Sequence, residues 1–299
     1  MSIRERASAR PDLDLYTRAS RLSTARVIRT YSSSFGLASR LLDRGCRPDV
    51  EAIYGLVRIA DEIVDGAAEQ AGLDVDAQHA ILDGLEHETA QALVDGYSAN
   101  PIVHAFAVTA RSAGIEAELT EPFFASMRRD LSPVAFDRAE FTRYVYGSAE
   151  VVGLMCLRVF LRDVAVTPEG RAELELGARH LGAAFQKVNF LRDLASDWNE
   201  RGRGYLPGVD PSSLDDAAKN EMLDEIDADL EIAARSIPHL PAGCRPAIAA
   251  AALLFGELSQ RIRRTPAEQL LTRRVRVSNG RKLAIVAAAR MGALPGPRS

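Results

Sequence analysis

AIYGLVRIADEIVDG, running from Ala52 to Gly66, is the stretch that decides the fold class. Ile53, Leu56, Val57, Ile59, Ile63 and Val64 cover most of a helical circumference, so the segment reads as a helix that is apolar nearly all round and therefore buried. Asp61 and Asp65 are four residues apart and project from one face, about 40° apart around the axis. Stepping back along that face meets Arg58 and then Tyr54. Unpaired buried carboxylates are costly, so an acidic stripe on such a helix calls for an explanation.

A second stripe lies in GAAFQKVNFLRDLASDWNERGRGYLP, Gly182 to Pro207. Gln186, Asn189, Asp193 and Asp197 step by three, four and four, again one helix face. Ala183, Phe185, Val188, Phe190, Leu191 and Leu194 supply apolar surroundings. A single acidic pair at this spacing carries little information. With 41 acidic residues in the chain, chance gives roughly five or six such pairs, most of them solvated faces. Two pairs, each inside an apolar helix and each extended by polar groups, are a different matter. A purely structural helix gains nothing from like charges at i,i+4.

Carboxylate and amide oxygens suit a hard cation. Magnesium keeps several waters while using one or two carboxylates together with substrate phosphates. Two such stripes facing each other would hold magnesium and, through it, a diphosphate. Arg58, Arg192, Arg201 and Arg203 are candidates to neutralise the remaining phosphate charge. The chain has no Walker-type loop, which argues against ATP held in a P-loop. A diphosphate leaving group in an apolar helical cavity points to ionisation of an allylic substrate.

Outward from these segments, helical periodicity dominates and strand-like alternation is nearly absent. Helices are expected at about 14–30, 48–66, 76–96, 101–113, 120–131, 137–163, 168–200, 212–237, 244–264 and 280–291. Pro48, Pro101, Pro122, Pro168, Pro211, Pro241 and Pro266 are expected to precede or open helices. Asn199 to Pro211 reads as a loop. No linker separates domains, so 1–299 reads as one all-α domain, with its core at about 14–290 and a loose tail at 292–299.

Hydrophobic residues at 47% and charged residues at 26% describe an ordinary folded protein, and a net charge of −4 leaves no basic footprint for nucleic acid. Cys46, Cys156 and Cys244 form no CxxC pair or Cys/His cluster, so neither a disulfide framework nor structural zinc is expected. The five histidines show no ExxH spacing, which disfavours a di-iron bundle. The polar start, MSIRERASARPDLDLY, lacks the apolar core of a signal peptide. No uninterrupted run of about 18 apolar residues is found. The cytoplasm is the expected location, with peripheral membrane contact left open.

At these residues the chain resembles the squalene/phytoene synthase family, over about residues 14–290, with a texture most like actinobacterial phytoene synthases. ADEIVDG and NFLRDLASD resemble the family's two metal-binding motifs, and RGRGYLP resembles the loop after the second. YSSSFGLAS (Tyr31 to Ser39), YVYGSAEVVGLM (Tyr144 to Met155) and TRRVRVSNGRKLA (Thr272 to Ala284) resemble three further family segments. Six ordered matches are far more specific than any one of them.

The resemblance implies an isoprenoid-synthase-like helical bundle around a central cavity. It implies magnesium, with manganese as a substitute, at Asp61, Asp65, Asn189, Asp193 and Asp197. It implies prenyl diphosphate contacts at Tyr31, Ser32, Ser33, Ser34, Tyr54, Arg58, Gln186, Arg192 and Arg274. Tyr146 corresponds to a central tyrosine that assists proton removal or cation stabilisation; without the family it would read as a core tyrosine. The implied reaction joins two geranylgeranyl diphosphates head to head through a cyclopropylcarbinyl diphosphate, giving phytoene without NADPH. The same chemistry on farnesyl diphosphate, giving squalene or dehydrosqualene, is the nearest alternative. A non-catalytic relative would be expected to have lost aspartates, and both pairs are complete. Two positions depart from the family: Glu150 stands where a glycine is common, and Phe255 where a tyrosine is common.

Overall fold

Proline and short polar side chains set where the helices begin. Pro11, Pro48, Pro101, Pro168 and Pro246 occupy first-turn positions, where the missing N–H costs nothing. Ser32, Asp74, Asn100, Asp137, Thr167, Asp215 and Ser278 accept a backbone N–H at their N-caps. The computed structural model describes residues 10–132, 136–209 and 213–296; the side chains of Ser33, Ser34, Asn199, Glu200 and Arg201 lie outside the described set.

The helices are α1 Pro11–Tyr31, α2 Ser33–Ala38, α3 Arg47–Val64, α4 Ala67–Gln70, α5 Val75–Asp95, α6 Pro101–Ala113 and α7 Ala117–Asp130, followed by α8 Arg138–Val145, α9 Val151–Leu161, α10 Pro168–Arg201, α11 Asp216–Ser236, α12 Arg245–Arg263, α13 Ala267–Leu270 and α14 Asn279–Arg290. The structure is 77% helical with no strand among the described residues, and it forms a single domain. The periodic segments thus appear where expected, and 101–113 does so to the residue. Pro122 differs. It sits inside α7 rather than opening it, because Ala117 to Glu121 already supply the first turn.

α10 is the axial wall. It packs along α11 and against α9 and α12, while α1, α6 and α7 support α3. α9 can lie close to α10 because glycine stands at the contacts. A Cβ on Gly153 would lie 2.4 Å from the Ala178 carbonyl oxygen, and one on Gly182 would lie 2.5 Å from that of Ala149. Asp49, buried in α3, receives Arg21 of α1 at 2.8 Å, Thr109 of α6 at 3.0 Å and Arg162 at 2.9 Å, which pins three layers together. Residues 138–161 are long and apolar enough by length and composition to cross a membrane, but half of the tested window is buried inside the bundle.

Between α8 and α9 the helix widens into a π-turn, Tyr146–Glu150. An inserted residue of this kind rotates the next segment by about 100° relative to an unbroken helix. The face carried by 137–145 is therefore not the face carried by 151–163.

Candidate active site

Helices α2, α3, α9, α10 and α12 enclose a cavity of about 720 Å³. Along α10 its lining runs from Arg192 to Leu174, eighteen residues, or about 27 Å of helix. One end is polar, with Arg58, Asp61, Asn189, Arg192, Arg274, Arg276 and Lys282; the other is apolar, with Phe160, Leu174, Ile237, Leu240 and Ala247. Two aromatic pairs lie between. Phe35 and Tyr54 stack at 5.6 Å, and Phe185 and Phe255 at 3.8 Å.

Asp61 lines the polar end, and burial followed by the neighbouring Asp65 charge pushes its carboxyl up to about 8 against the pull of Arg58. The nearest Arg58 nitrogen is 3.9 Å away. Arg58 is held by Glu62 and by the face of Tyr31 at 4.5 Å, and its Nε is buried without a hydrogen-bond partner among the described residues. Asn189 lines the same end, and its Oδ1 is likewise buried with no partner among the described residues. An orphaned amide oxygen and a carboxylate that resists ionisation both fit a hard cation. No group of three or more His, Cys, Asp or Glu converges as a metal cage among the described residues. A magnesium ion that takes only one or two protein carboxylates and otherwise phosphate and water does not need one.

Two more carboxylates of the stripes are tied to guanidiniums. Asp193 pairs with Arg192 and with Arg274, whose Nε lies 2.6 Å from Oδ1. Asp65 pairs with Arg203, which also donates to the Val64 carbonyl oxygen at 2.6 Å. Arg203, a phosphate candidate by sequence, instead clamps the end of α3. It gets there because Gly202, at φ +64°, caps α10 in the left-handed conformation and folds the chain back. Asp197 ends the second stripe near Tyr205, whose pKa its charge helps to raise after burial and Asp130.

Tyr31, Ser32, Tyr54, Arg58, Arg192 and Arg274 all line the cavity. Ser32 also caps α2, accepting the Phe35 N–H at 3.1 Å. The side chains of Ser33, Ser34 and Arg201 lie outside the described set. Gln186 does not line the cavity, nor does Tyr146. Tyr146 lies beneath the Arg179 guanidinium at 5.4 Å, and Arg179 in turn pairs with Glu150 at 2.7 Å. Glu150 thus turns away from the cavity, which its neighbours Ser148 and Ala149 line.

Sequence reading missed Asp130. It is buried at the end of α7, accepts Tyr144 Oη at 2.8 Å and Tyr205 Oη at 2.9 Å, and has its carboxyl pushed up to about 7 by burial, with Arg203 opposing. The signal was present: Leu119, Phe123, Ser126, Met127 and Asp130 follow one buried face of α7, so an acid interrupts an apolar stripe. Arg276 and Lys282 were also missed. Burial and the surrounding cations lower the pKa of Lys282, with Arg192 the first of those cations.

A helical bundle closed around a long apolar cavity, with cations and carboxylates gathered at one end, is an isoprenoid-synthase-like protein. The family model for squalene/phytoene synthase matches residues 28–281. The chain is 30% identical over 264 residues to a 15-cis-phytoene synthase of Paracoccus sp. (strain N81106 / MBIC 01143), covering 81% of this chain and 82% of that one. It is 29% identical over 287 residues to a phytoene synthase of Mycobacterium tuberculosis (strain ATCC 25618 / H37Rv), covering 89% of each. A crystal structure of a dehydrosqualene synthase in complex with ligand superposes with a TM-score of 0.74 at 23% identity, covering 94% of this chain and 98% of that one. The chain belongs to the squalene/phytoene synthase family and is a prenyltransferase-type enzyme.

Proposed function

We propose that the protein is a phytoene synthase, condensing two geranylgeranyl diphosphates head to head with magnesium and without NADPH. The observation that carries the choice of substrate is the length of the cavity. At about 1.25 Å of axial length per carbon, a geranylgeranyl main chain extends about 20 Å and a farnesyl chain about 15 Å. The lining of about 27 Å along α10 takes the longer chain with room for its diphosphate.

In this reading Asp61, Asp65, Asn189, Asp193 and Asp197 hold magnesium, which, when bound, offsets the charge of the departing diphosphate. Arg58, Arg192, Arg274, Arg276 and Lys282 bind and orient the phosphates. The apolar walls below exclude water from the allylic cation. The faces of Phe35, Tyr54, Phe185 and Phe255 line the region where positive charge develops.

The test is incubation of purified protein with magnesium and each prenyl diphosphate, with and without NADPH, then mass identification of the hydrocarbon. A forty-carbon product from geranylgeranyl diphosphate is expected, independent of NADPH. A thirty-carbon product formed only from farnesyl diphosphate would replace this reading with the squalene or dehydrosqualene one.

A further inference from the structure

The π-turn Tyr146–Glu150 is a wall between two cavities. On its inner side Ser148 and Ala149 line the long cavity. On its outer side Glu150 lines a second cavity, of about 240 Å³, together with Arg138, Arg179, His180, Lys187 and Asp229. The inner space is apolar at this level, because Ala149 packs against Gly182 of α10, within about one turn of Phe185. The outer one is rimmed by charged groups.

The turn is the weak stretch of that wall. Its bonding, with the Val151 N–H on the Tyr146 carbonyl oxygen, is the rare alternative to the α-helical ladder. Gly147 contributes no side chain, and a Cβ there would overlap the Pro122 carbonyl oxygen of α7. Ser148 does not tie the turn either. A serine in a helix can bond back to the carbonyl four residues before it, but that of Tyr144 accepts the Ser126 hydroxyl at 3.2 Å. The Ser148 hydroxyl is buried with no partner among the described residues.

One side chain spans the turn. Arg179 of α10 pairs with Glu150 at 2.7 Å and lies over the Tyr146 ring at 5.4 Å. A single guanidinium thus holds the first and the last residue of the turn. The Glu150 side chain is 12% exposed and that of Arg179 48%, so the carboxylate is more sheltered than in a surface ion pair.

We propose that Arg179, acting through Glu150 and Tyr146, is a positioning residue that staples the π-turn against α10 and keeps solvent on the charged side from entering the cavity. The catalytic sense is protection of an allylic cation. Water that crosses the turn adds its oxygen to the cation and loses a proton, giving a prenyl alcohol in place of a coupled hydrocarbon. That sense rests on the prenyl diphosphate reading but not on its chain length; the staple rests on geometry alone.

Two measurements on the full chain test this. Hydrogen–deuterium exchange of peptides spanning 144–152 needs no substrate. There Arg179→Met should exchange about fivefold faster than the parent, Glu150→Gln about twofold faster, and Arg179→Lys close to the parent. The second measurement is turnover with magnesium and each of farnesyl and geranylgeranyl diphosphate. In Arg179→Met the share of consumed substrate recovered as prenyl alcohol should rise about fivefold, and Arg179→Lys should return it toward the parent value. This share is a ratio, so loss of folded protein does not move it. Arg138→Gln removes the exposed partner of Glu225 in the same outer cavity and should leave both readouts unchanged. Exchange that stays at the parent rate in Arg179→Met, with a cooperative melt showing it folded, overturns the staple. Faster exchange with an unchanged alcohol share overturns the positioning role and leaves only a structural contact. A parent that couples farnesyl diphosphate alone corrects the chain length proposed above, and the alcohol share is then read with that substrate. A parent that consumes neither removes the proposed function and the positioning role together, whereas the exchange result is unaffected.

Discussion

Replacing Asp61 with asparagine should make the metal-free protein more stable and the enzyme inactive. Burial and Asp65 raise the Asp61 carboxyl from 3.8 to about 8. Between those values the folded state holds a proton that the unfolded chain has released. Stability from this group is therefore complete below about pH 4 and lost as pH rises through about 8. Each pKa unit corresponds to about 1.4 kcal/mol, but the side chain is 31% exposed to the cavity. Solvent screening reduces the effect to about 1–3 kcal/mol. Asparagine keeps the shape and cannot ionise. At pH 8.5 the variant should melt roughly 2–6 °C higher than the parent, while at pH 4 the two curves should coincide. The assay is a thermal melt from pH 4 to 9, with and without magnesium and pyrophosphate. The parent should be stabilised by the ligands, with magnesium affinity rising about tenfold per pH unit below pH 8 as Asp61 gives up its proton. The variant should show neither response, and no turnover. An equal ligand-induced rise in the variant, or a stability gain that does not depend on pH, would refute the reasoning.

Three other outcomes are set by the geometry. Asp130→Asn keeps an oxygen for Tyr144 and Tyr205 but removes the charge facing Arg203; turnover should fall about tenfold with the melt at pH 8 unchanged or higher, and full activity would show that the network does not support Asp65. Ala251→Phe fills the lining one turn below Phe255. In a competition assay it should lower kcat/KM for geranylgeranyl diphosphate about tenfold or more while sparing farnesyl diphosphate, and equal losses would misplace the floor. Gly153→Ala puts a methyl 2.4 Å from the Ala178 oxygen, so α9 and α10 must part at a cost of about 2 kcal/mol, read as a melt several degrees lower; an unshifted melt would mean that the contact yields freely.

Features that depend on period are legible in the sequence. The two stripes, the buried character of α3 and most helix bounds come from residue spacing alone. What is not legible is of two kinds: a short capped helix, and side chains whose partners come from elsewhere in the chain. α2 is hidden because Tyr31 to Ser39 reads as a Ser-rich motif, although Ser32 caps a short helix there. The π-turn beginning at Tyr146 changes the register, and Arg179 covers the ring from α10. Asp130 looks like one more acid near a helix end until Tyr144 and Tyr205 meet it from segments 14 and 75 residues away.

The distribution of partners along the two stripes is itself informative. The outer carboxylates, Asp65 and Asp193, end on guanidiniums of the same chain. The inner groups do not: Asp61 is 3.9 Å from its nearest guanidinium nitrogen, and Asn189 Oδ1 has no partner among the described residues. A fold selected for stability alone would close that gap, because a buried unsatisfied oxygen costs about 1–3 kcal/mol and a leucine in its place would cost nothing. Both imperfect groups line one end of one cavity, on α3 and α10, where Arg58, Arg192 and Arg274 also line the wall. Incomplete pairing at Asp61 and Asn189, beside fully paired Asp65 and Asp193, is what a site built for a charged ligand requires, and neither helix would show it if its stripe were merely a solvated face.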